Sequence, residues 1–161
     1  MIVLRPVTPE DIRSIKGWPQ YPAEFRDLDY ALRDDGWLDE YGNRDDADIL
    51  IADDAGEIAG FSIISRETGG KAEFRIALHP SRLGQGIGGV IARLSLAHGF
   101  FDPDIRTIRL IVRKNNPRAG RLYETLNFRK TGECTEEIQG KPVEFYTMEI
   151  DRKTFAGKRE Q

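Results

Sequence analysis

The sequence predicts an α/β fold, and three observations support this prediction. The 161 residues suffice for one domain with its own core and are too few for two ordinary domains. Alternating apolar segments typical of strands and helical patterns follow one another along the chain. The segment from Ala72 to Phe101 also reads as a strand, a glycine-rich loop and a helix in direct succession. We therefore expect one α/β domain over residues 1–152, followed by a tail over residues 153–161.

The composition excludes several classes of protein. Residues are 39% hydrophobic and 32% charged, as in a soluble globular protein. The net charge of −3 favours no nucleic-acid partner. No run approaches the ~20 apolar residues of a membrane-spanning helix, and the first residues lack the apolar core of a signal peptide. The single cysteine, Cys134, suits a reducing compartment, so we expect a cytoplasmic protein without a membrane partner.

Local patterns predict the order of the elements. A first strand covers Ile2 to Arg5, and Thr8 caps a first helix that has Pro9 in its first turn. The remaining segments are a helix at 23–34, strands at 48–52 and 57–65, the strand from Ala72, the helix after the glycines, a strand at 107–112, a helix at 117–126 and strands at 127–133 and 143–150. The tail from Lys153 resembles a disordered extension.

The glycine-rich loop is the most informative part of the chain. Four of six residues are glycine between Gly84 and Gly89. A helix follows in which Val90, Leu94, Ala97 and Phe101 form an apolar face, with Ile87 and Ile91 beside them. A loop of this kind at a helix N-terminus offers free backbone N–H groups and the positive end of the helix dipole. It predicts a binding site for a pyrophosphate.

Two common phosphate-binding loops fit the sequence less well. A Walker A loop requires Lys and then Ser or Thr after the glycine, whereas this loop continues Gly88-Gly89-Val90. The dinucleotide pattern GxGxxG is present, but residues 79–83 separate it from the strand. The acidic residue expected about 20 positions later at the end of the next strand is absent, because that strand ends at Arg113.

A third type of loop fits better. The segment HPSRLGQGIGG resembles the coenzyme A loop of the GCN5-related N-acetyltransferase (GNAT) family, with pattern Q/R-x-x-G-x-G/A, although Leu83 stands at the Q/R position. The segment NPRAGRLYETLNF resembles the second motif of that family, N-x-x-A-x-x-L-Y-x-x-x-G-F, with Asn127 in place of glycine. The resemblance spans about residues 5–148 and implies a mixed, twisted sheet with helices on both faces.

The resemblance also implies which residues contact acetyl-CoA. Main-chain groups at the end of the central strand pair with the pantetheine arm, the loop N–H groups hold the pyrophosphate, and Asn116 binds the arm. Asn116 also suits a helix N-cap before Pro117. The implied coenzyme-binding residues are Ile76, Ala77, Leu78, Leu83, Gly84, Gln85, Gly86, Ile87, Gly88, Gly89, Asn116 and Tyr123.

Amide formation from a thioester needs a proton acceptor and a proton donor. By resemblance, Glu73 in the central strand is the candidate base, directly or through a water molecule. Tyr123 is the candidate acid, because a phenol with an ordinary pKa near ~10 keeps its proton at neutral pH. Each has a simpler interpretation as well, an exposed carboxylate at the strand end and an aromatic residue packed on the core.

We expect the amine acceptor to bind to the more variable parts of the fold. Trp18, Tyr21, Phe25 and Tyr146 are candidate acceptor-binding residues, and all four are equally suited to packing. The stretch from Asp27 to Glu57 contains 12 acidic residues, which would attract a cationic amine. A basic stretch over residues 105–130 would face the coenzyme phosphates. The two histidines have no partners that indicate a metal site.

The sequence therefore predicts an enzyme that moves an acetyl group from acetyl-CoA to a primary amine, such as a protein N-terminus, a polyamine or another small amine. We expect direct transfer in a ternary complex, since Cys134 lies outside both motifs. A catalytically silent acetyl-CoA sensor is the alternative. Whether the chain forms a homodimer stays open.

Overall fold

The computed structural model describes residues 1–160 and contains a mixed sheet with helices. Its elements in chain order are β1 (Ile2–Pro6), α1 (Pro9–Lys16), a 3-10 helix (Ala23–Leu32), α2 (Trp37–Tyr41), β2 (Ala47–Asp54), β3 (Glu57–Arg66), a 3-10 turn (Thr68–Gly70), β4 (Lys71–Leu78), a second 3-10 turn (Pro80–Arg82), α3 (Ile87–Phe101), β5 (Thr107–Arg113), α4 (Pro117–Thr125), β6 (Arg129–Ile138), β7 (Lys141–Asp151) and α5 (Arg152–Glu160).

The seven strands follow the order β1-β2-β3-β4-β5-β7-β6. β1 pairs antiparallel with β2, and β2 with β3. β4 and β5 are parallel over the register from Lys71 opposite Thr107 to Glu73 opposite Arg109. β7 pairs antiparallel with both β5 and β6. The predicted mixed sheet and the predicted order of the main elements are confirmed.

The chain divides into two compact units. The first comprises residues 1–65 and 74–98, and its core is made of aromatic and aliphatic side chains from the first helices and from β2 and β3. The buried members are Ile15, Trp18, Tyr21, Leu32, Leu38, Tyr41, Ile49, Ile51, Phe61 and Ile63. A buried hydrogen bond of 2.7 Å between the hydroxyls of Ser62 and Ser95 joins β3 to α3.

The second unit comprises residues 66–73 and the chain from Gly99 onward. It contains the strands β5, β7 and β6, and α5 follows β7 directly. The guanidinium of Arg152 donates to the carbonyl oxygens of Phe100, Asp102 and Ile105, and Phe155 packs on Phe100 with ring centroids 5.4 Å apart.

Three expectations about secondary structure were wrong. The chain from Lys153 forms most of α5 instead of a disordered extension, because Arg152 and Phe155 attach it to the unit; Gln161 lies outside the described residues. The second helix is a 3-10 helix over Ala23–Leu32 and is followed by the short α2. The strands β6 and β7 are also longer than predicted, since Gln139 and Gly140 adopt positive φ in a tight hairpin between them.

The buried face of α3 is the opposite of the predicted one. Val90 and Leu94 are 40% and 36% exposed and Phe101 is 90% exposed, whereas the buried side chains on the helix include Ile91, Ala92, Ser95, Leu96 and Phe100. Apolar residues occur on both sides of this helix, so their periodicity does not identify the core face. The small side chains of Ala92 and Ser95 instead allow close packing.

The start of α1 is confirmed in detail. The Thr8 hydroxyl accepts from the Asp11 backbone N–H, and the Asp11 carboxylate accepts from the Thr8 N–H at 2.8 Å, which makes a capping box. The same carboxylate receives two hydrogen bonds from Arg5, at 2.7 and 3.0 Å. The Arg5 guanidinium lowers the pKa of Asp11 from 3.8 to about 2.

We expect the Asp11→Asn variant to lose this stabilisation at neutral pH. Because the folded pKa is lowered, the carboxylate contributes stability above about pH 4 that disappears as the pH falls to about 2. The free energy of unfolding in urea should therefore drop by about 2 kcal/mol at pH 7 and much less at pH 2.5. Glu10→Gln, an exposed neighbour, should change it by less than about 0.5 kcal/mol. An equal loss for Asp11→Asn at both pH values would contradict this assignment.

Candidate active site

The glycine-rich loop takes the backbone conformation that its sequence requires. Gly84 and Gly86 have φ angles of 74° and 79°, which residues other than glycine rarely adopt. A Cβ placed on Gly86 would have no atom within 4 Å, so the loop has open space on that side. α3 begins at Ile87, and its first-turn N–H groups follow the loop directly. Loop and helix together have the backbone geometry expected of an anion site.

The residue at the family's Q/R position makes no polar contribution. Leu83 is half-buried and packs against the core of the first unit. Arg82 does not replace the missing polar side chain, because it is directed to the turn between β2 and β3. There it pairs with Asp54 at 2.8 Å and with Glu57 at 2.9 Å. An anion at this loop would therefore have to be bound by its backbone.

The end of β4 is fixed from the side of the first helices. The Tyr21 hydroxyl donates to the Leu78 carbonyl oxygen at 2.6 Å, and the His79 N–H donates to the Ala59 carbonyl at 2.9 Å. Ile76, Ala77 and Leu78 are each half-buried. They lie beyond the stretch of β4, Lys71 to Glu73, that pairs with β5.

The candidate base is held in an ion pair. Glu73 is 7% exposed, and its carboxylate lies 3.1 Å from a guanidinium nitrogen of Arg109, the residue opposite it in β5. Arg109 also makes two hydrogen bonds of 2.6 Å to Glu67. The simpler interpretation of Glu73 as an exposed strand-end carboxylate is wrong, because the side chain is buried.

The candidate acid lies on α4 in the second unit. Tyr123 is 8% exposed, and its ring packs edge-on to Phe128 at 5.8 Å. Burial raises the pKa of Tyr123 to about 12. Asn116 caps the same helix, since its side-chain oxygen accepts from the Ala119 N–H at 3.2 Å. Asn127 has a φ of 74°, so it adopts the left-handed conformation for which the family uses glycine.

The four candidate acceptor residues contribute mainly to the packing of their units. Trp18 and Tyr21 are 8% and 4% exposed, and Phe25 packs beside them. Trp18 also lines a groove of about 790 Å³ with His79 and residues of α1. Tyr146 lies on β7 in the second unit, with the Lys130 ammonium 4.0 Å from its ring centroid.

Sequence reasoning missed two arginines, of which the structure places Arg109 beside the candidate base and Arg75 on a pair of aromatic rings. Arg109 faces Glu73 only through the register of β4 and β5, which no local pattern predicts. Arg75 stacks on Trp37 and Tyr41, and its position two residues after Glu73 on a strand was the available signal.

Neither a metal cluster nor a membrane span is found in the part of the chain that the structure describes. Within residues 1–160, no group of three or more His, Cys, Asp or Glu side chains could hold a metal ion. Among the same residues, no helix combines the length and apolarity that crossing a membrane requires.

Comparison with known proteins identifies the family. The model of the acetyltransferase (GNAT) family matches residues 13–128, and this range includes both motif segments, 79–89 and 116–128. The chain belongs to the GNAT acetyltransferase family.

One curated relative is the spermidine N(1)-acetyltransferase of Escherichia coli K12, which is 34% identical over 68 residues. That stretch covers 42% of this chain and 37% of the relative, so the chain matches well under half of that protein's length.

Solved structures show the same fold over nearly the whole chain. A mutant form of the spermidine/spermine N-acetyltransferase from Vibrio cholerae has a TM-score of 0.76 at 22% identity, covering 98% of this chain and 99% of that one. The spermidine N-acetyltransferase from the same organism in complex with CoA and spermine has a TM-score of 0.75 at 20% identity, covering 96% and 98%. A dodecameric structure of that enzyme has a TM-score of 0.75 at 20% identity, covering 98% and 97%.

Proposed function

We propose that this protein is an N-acetyltransferase that moves an acetyl group from acetyl-CoA to a primary amine, with polyamines such as spermidine as the first acceptors to test. The observation that carries the proposal is the left-handed glycine loop at the start of α3, in a chain of the GNAT family. The curated relative acetylates spermidine according to its name, and the acidic stretch from Asp27 to Glu57 suits a cationic acceptor.

The residues present fit the coenzyme. Positive φ at Gly84 and Gly86 is a backbone conformation that anion-binding loops use. The open space at Gly86 leaves room for a bulky phosphate. The backbone of Ile76 to Leu78 would pair with the pantetheine arm. In the second unit, the side-chain oxygen of Asn116 serves the helix cap and leaves its amide NH₂ for the coenzyme contact that the family resemblance implies.

Acetyl-CoA, when bound, supplies an acetyl group activated as a thioester. The Leu78 N–H is the donor we assign to the thioester carbonyl oxygen. The Tyr21 hydroxyl fixes this end of β4 through the Leu78 carbonyl, which limits the backbone motion that would misdirect the donor.

Tyr123 is the proton donor for the sulfur. Because burial raises its pKa to about 12, Tyr123 stays neutral at physiological pH and can donate a hydrogen bond or a proton to a developing thiolate.

Glu73 is the proton acceptor for the amine, directly or through a water molecule. Its burial and its partner Arg109 hold the carboxylate in one position, as a general base requires.

Direct transfer to the amine is favoured over a cysteine intermediate. Burial raises the pKa of the Cys134 thiol above its ordinary 9.0, so little of it is the nucleophilic thiolate at neutral pH.

A cytoplasmic location belongs to the same proposal, since the free thiol of Cys134 suits a reducing compartment. Self-association belongs to it as well, because one relative of the same fold is dodecameric.

A catalytically silent acetyl-CoA sensor is the second candidate. The observation that favours it is Leu83, which packs on the core where the family has a polar side chain. The buried phenol of Tyr123 and the cap of Asn116 are retained, however, and they favour the enzyme.

We expect Tyr123→Phe to lower turnover on the order of 10²-fold with little change in the Kd for acetyl-CoA, because it removes only the donated proton. Thiol release should be measured with spermidine, a peptide with a free N-terminus and n-butylamine. Tyr30→Phe, which removes a hydroxyl elsewhere, is the matched control and should keep full turnover. Full turnover by Tyr123→Phe would show that another group donates the proton, and absence of thiol release by the unaltered protein with all amines would favour the sensor.

Glu73→Gln and Glu67→Gln form a second matched pair, since both carboxylates contact Arg109. If Glu73 accepts the proton, Glu73→Gln should reduce kcat on the order of 10²-fold. Glu67→Gln should keep kcat and cost less than about 1 kcal/mol of stability. Unchanged kcat in Glu73→Gln, with only its melting temperature lowered, would limit Glu73 to holding Arg109.

A further inference from the structure

A cation-binding pair of aromatic rings lies at the short helix α2. Trp37 and Tyr41 are its first and last residues, four positions apart and therefore on the same side of the helix. The guanidinium carbon of Arg75 lies 5.4 Å from the Trp37 ring centroid and 5.3 Å from that of Tyr41. The Arg75 Nε also donates to the Tyr41 hydroxyl at 2.9 Å. The chain thus supplies its own cation to this site.

The two rings are held in place by further packing. Trp37 meets Phe61 edge-on at 6.5 Å and Tyr30 edge-on at 6.5 Å, and Tyr41 is 4% exposed. A rigid pair of aromatic faces is the arrangement with which proteins recognise organic ammonium ions. With the guanidinium removed, the same rings would present this surface to another cation.

The position of Arg75 relates this pair to the proposed reaction. Arg75 lies on β4 three residues before Leu78, whose N–H we assign to the thioester carbonyl oxygen, and both residues belong to the first unit. An acceptor with its reacting amine at the end of β4 and a second ammonium group several ångströms away would extend toward these rings.

We propose that Arg75 determines acceptor specificity by occupying the cation site of Trp37 and Tyr41, so that a second ammonium group of a polyamine cannot bind there. The inference rests on the proposed function and refines its substrate class. An ammonium that approached these rings would meet a like charge and would have to displace a stacked, hydrogen-bonded guanidinium. The protein as it stands therefore binds the reacting amine without help from these two rings.

The test compares Arg75→Met with Arg44→Met. Arg44 also lies over the Tyr41 ring, at 4.8 Å, but it follows α2, is 42% exposed and pairs with Asp46. Arg75→Lys keeps the positive charge at the original position. Calorimetric titrations with spermidine and with n-butylamine measure binding without relying on turnover, and thermal melts verify that each variant is folded.

Arg75→Met should bind spermidine on the order of tenfold more tightly than the unaltered protein, while its affinity for n-butylamine changes less than about twofold. Arg44→Met and Arg75→Lys should bind spermidine as the unaltered protein does. Unchanged or weaker spermidine binding by folded Arg75→Met overturns the proposal. An equal gain in Arg44→Met also overturns it, because the effect would then come from net charge.

Thiol release separates this inference from the proposed function. If no variant acetylates any amine but Arg75→Met gains spermidine affinity, the enzymatic function fails and the cation site stands. If the unaltered protein acetylates amines and Arg75→Met shows no gain, the specificity assignment alone fails.

Discussion

The connection between β4 and α3 is the constraint on which the candidate site depends. Left-handed backbone at Gly84 and Gly86 lets the chain turn sharply into the helix and exposes N–H groups instead of side chains. Leu83 secures the start of this turn by packing on the core, and Arg82 holds it against Asp54 and Glu57. A loop that binds phosphate through its backbone can tolerate leucine at a position where relatives of the family have a polar residue.

Fixed partners recur among the residues assigned to chemistry. Glu73 is held by Arg109, and the end of β4 is held by Tyr21 through a carbonyl. Tyr123 is buried against Phe128. Groups that are positioned before the ligand arrives lose little freedom in the reaction, which is how such sites gain rate. Arg75 is also held by fixed partners, Trp37 and Tyr41, and this occupied cation site is the basis of the selectivity that we propose.

Some of these features could be predicted from the sequence because they are local. The cap at Thr8, the positive φ at Asn127 and the glycine turn before α3 each follow from residues within a few positions of one another. Features that depend on tertiary contacts were missed. The buried face of α3 could not be predicted because both of its sides are apolar, and the ordered α5 depends on distant contacts of Arg152 and Phe155. The pairing of Glu73 with Arg109 needed the strand register.

The most direct test of the central claim is a calorimetric titration of acetyl-CoA into the unaltered protein, Gly86→Ala and Gly140→Ala. Gly86 and Gly140 share φ angles of 79° and 78°, and neither has an atom within 4 Å of a built Cβ. Both substitutions therefore cost a similar amount of stability, about 1 kcal/mol. We predict micromolar binding by the unaltered protein and Gly140→Ala, and affinity at least about tenfold weaker in Gly86→Ala because the loop N–H groups are redirected. Absence of binding by the unaltered protein, or equal affinity in the two variants, would contradict the assignment of this loop to the coenzyme.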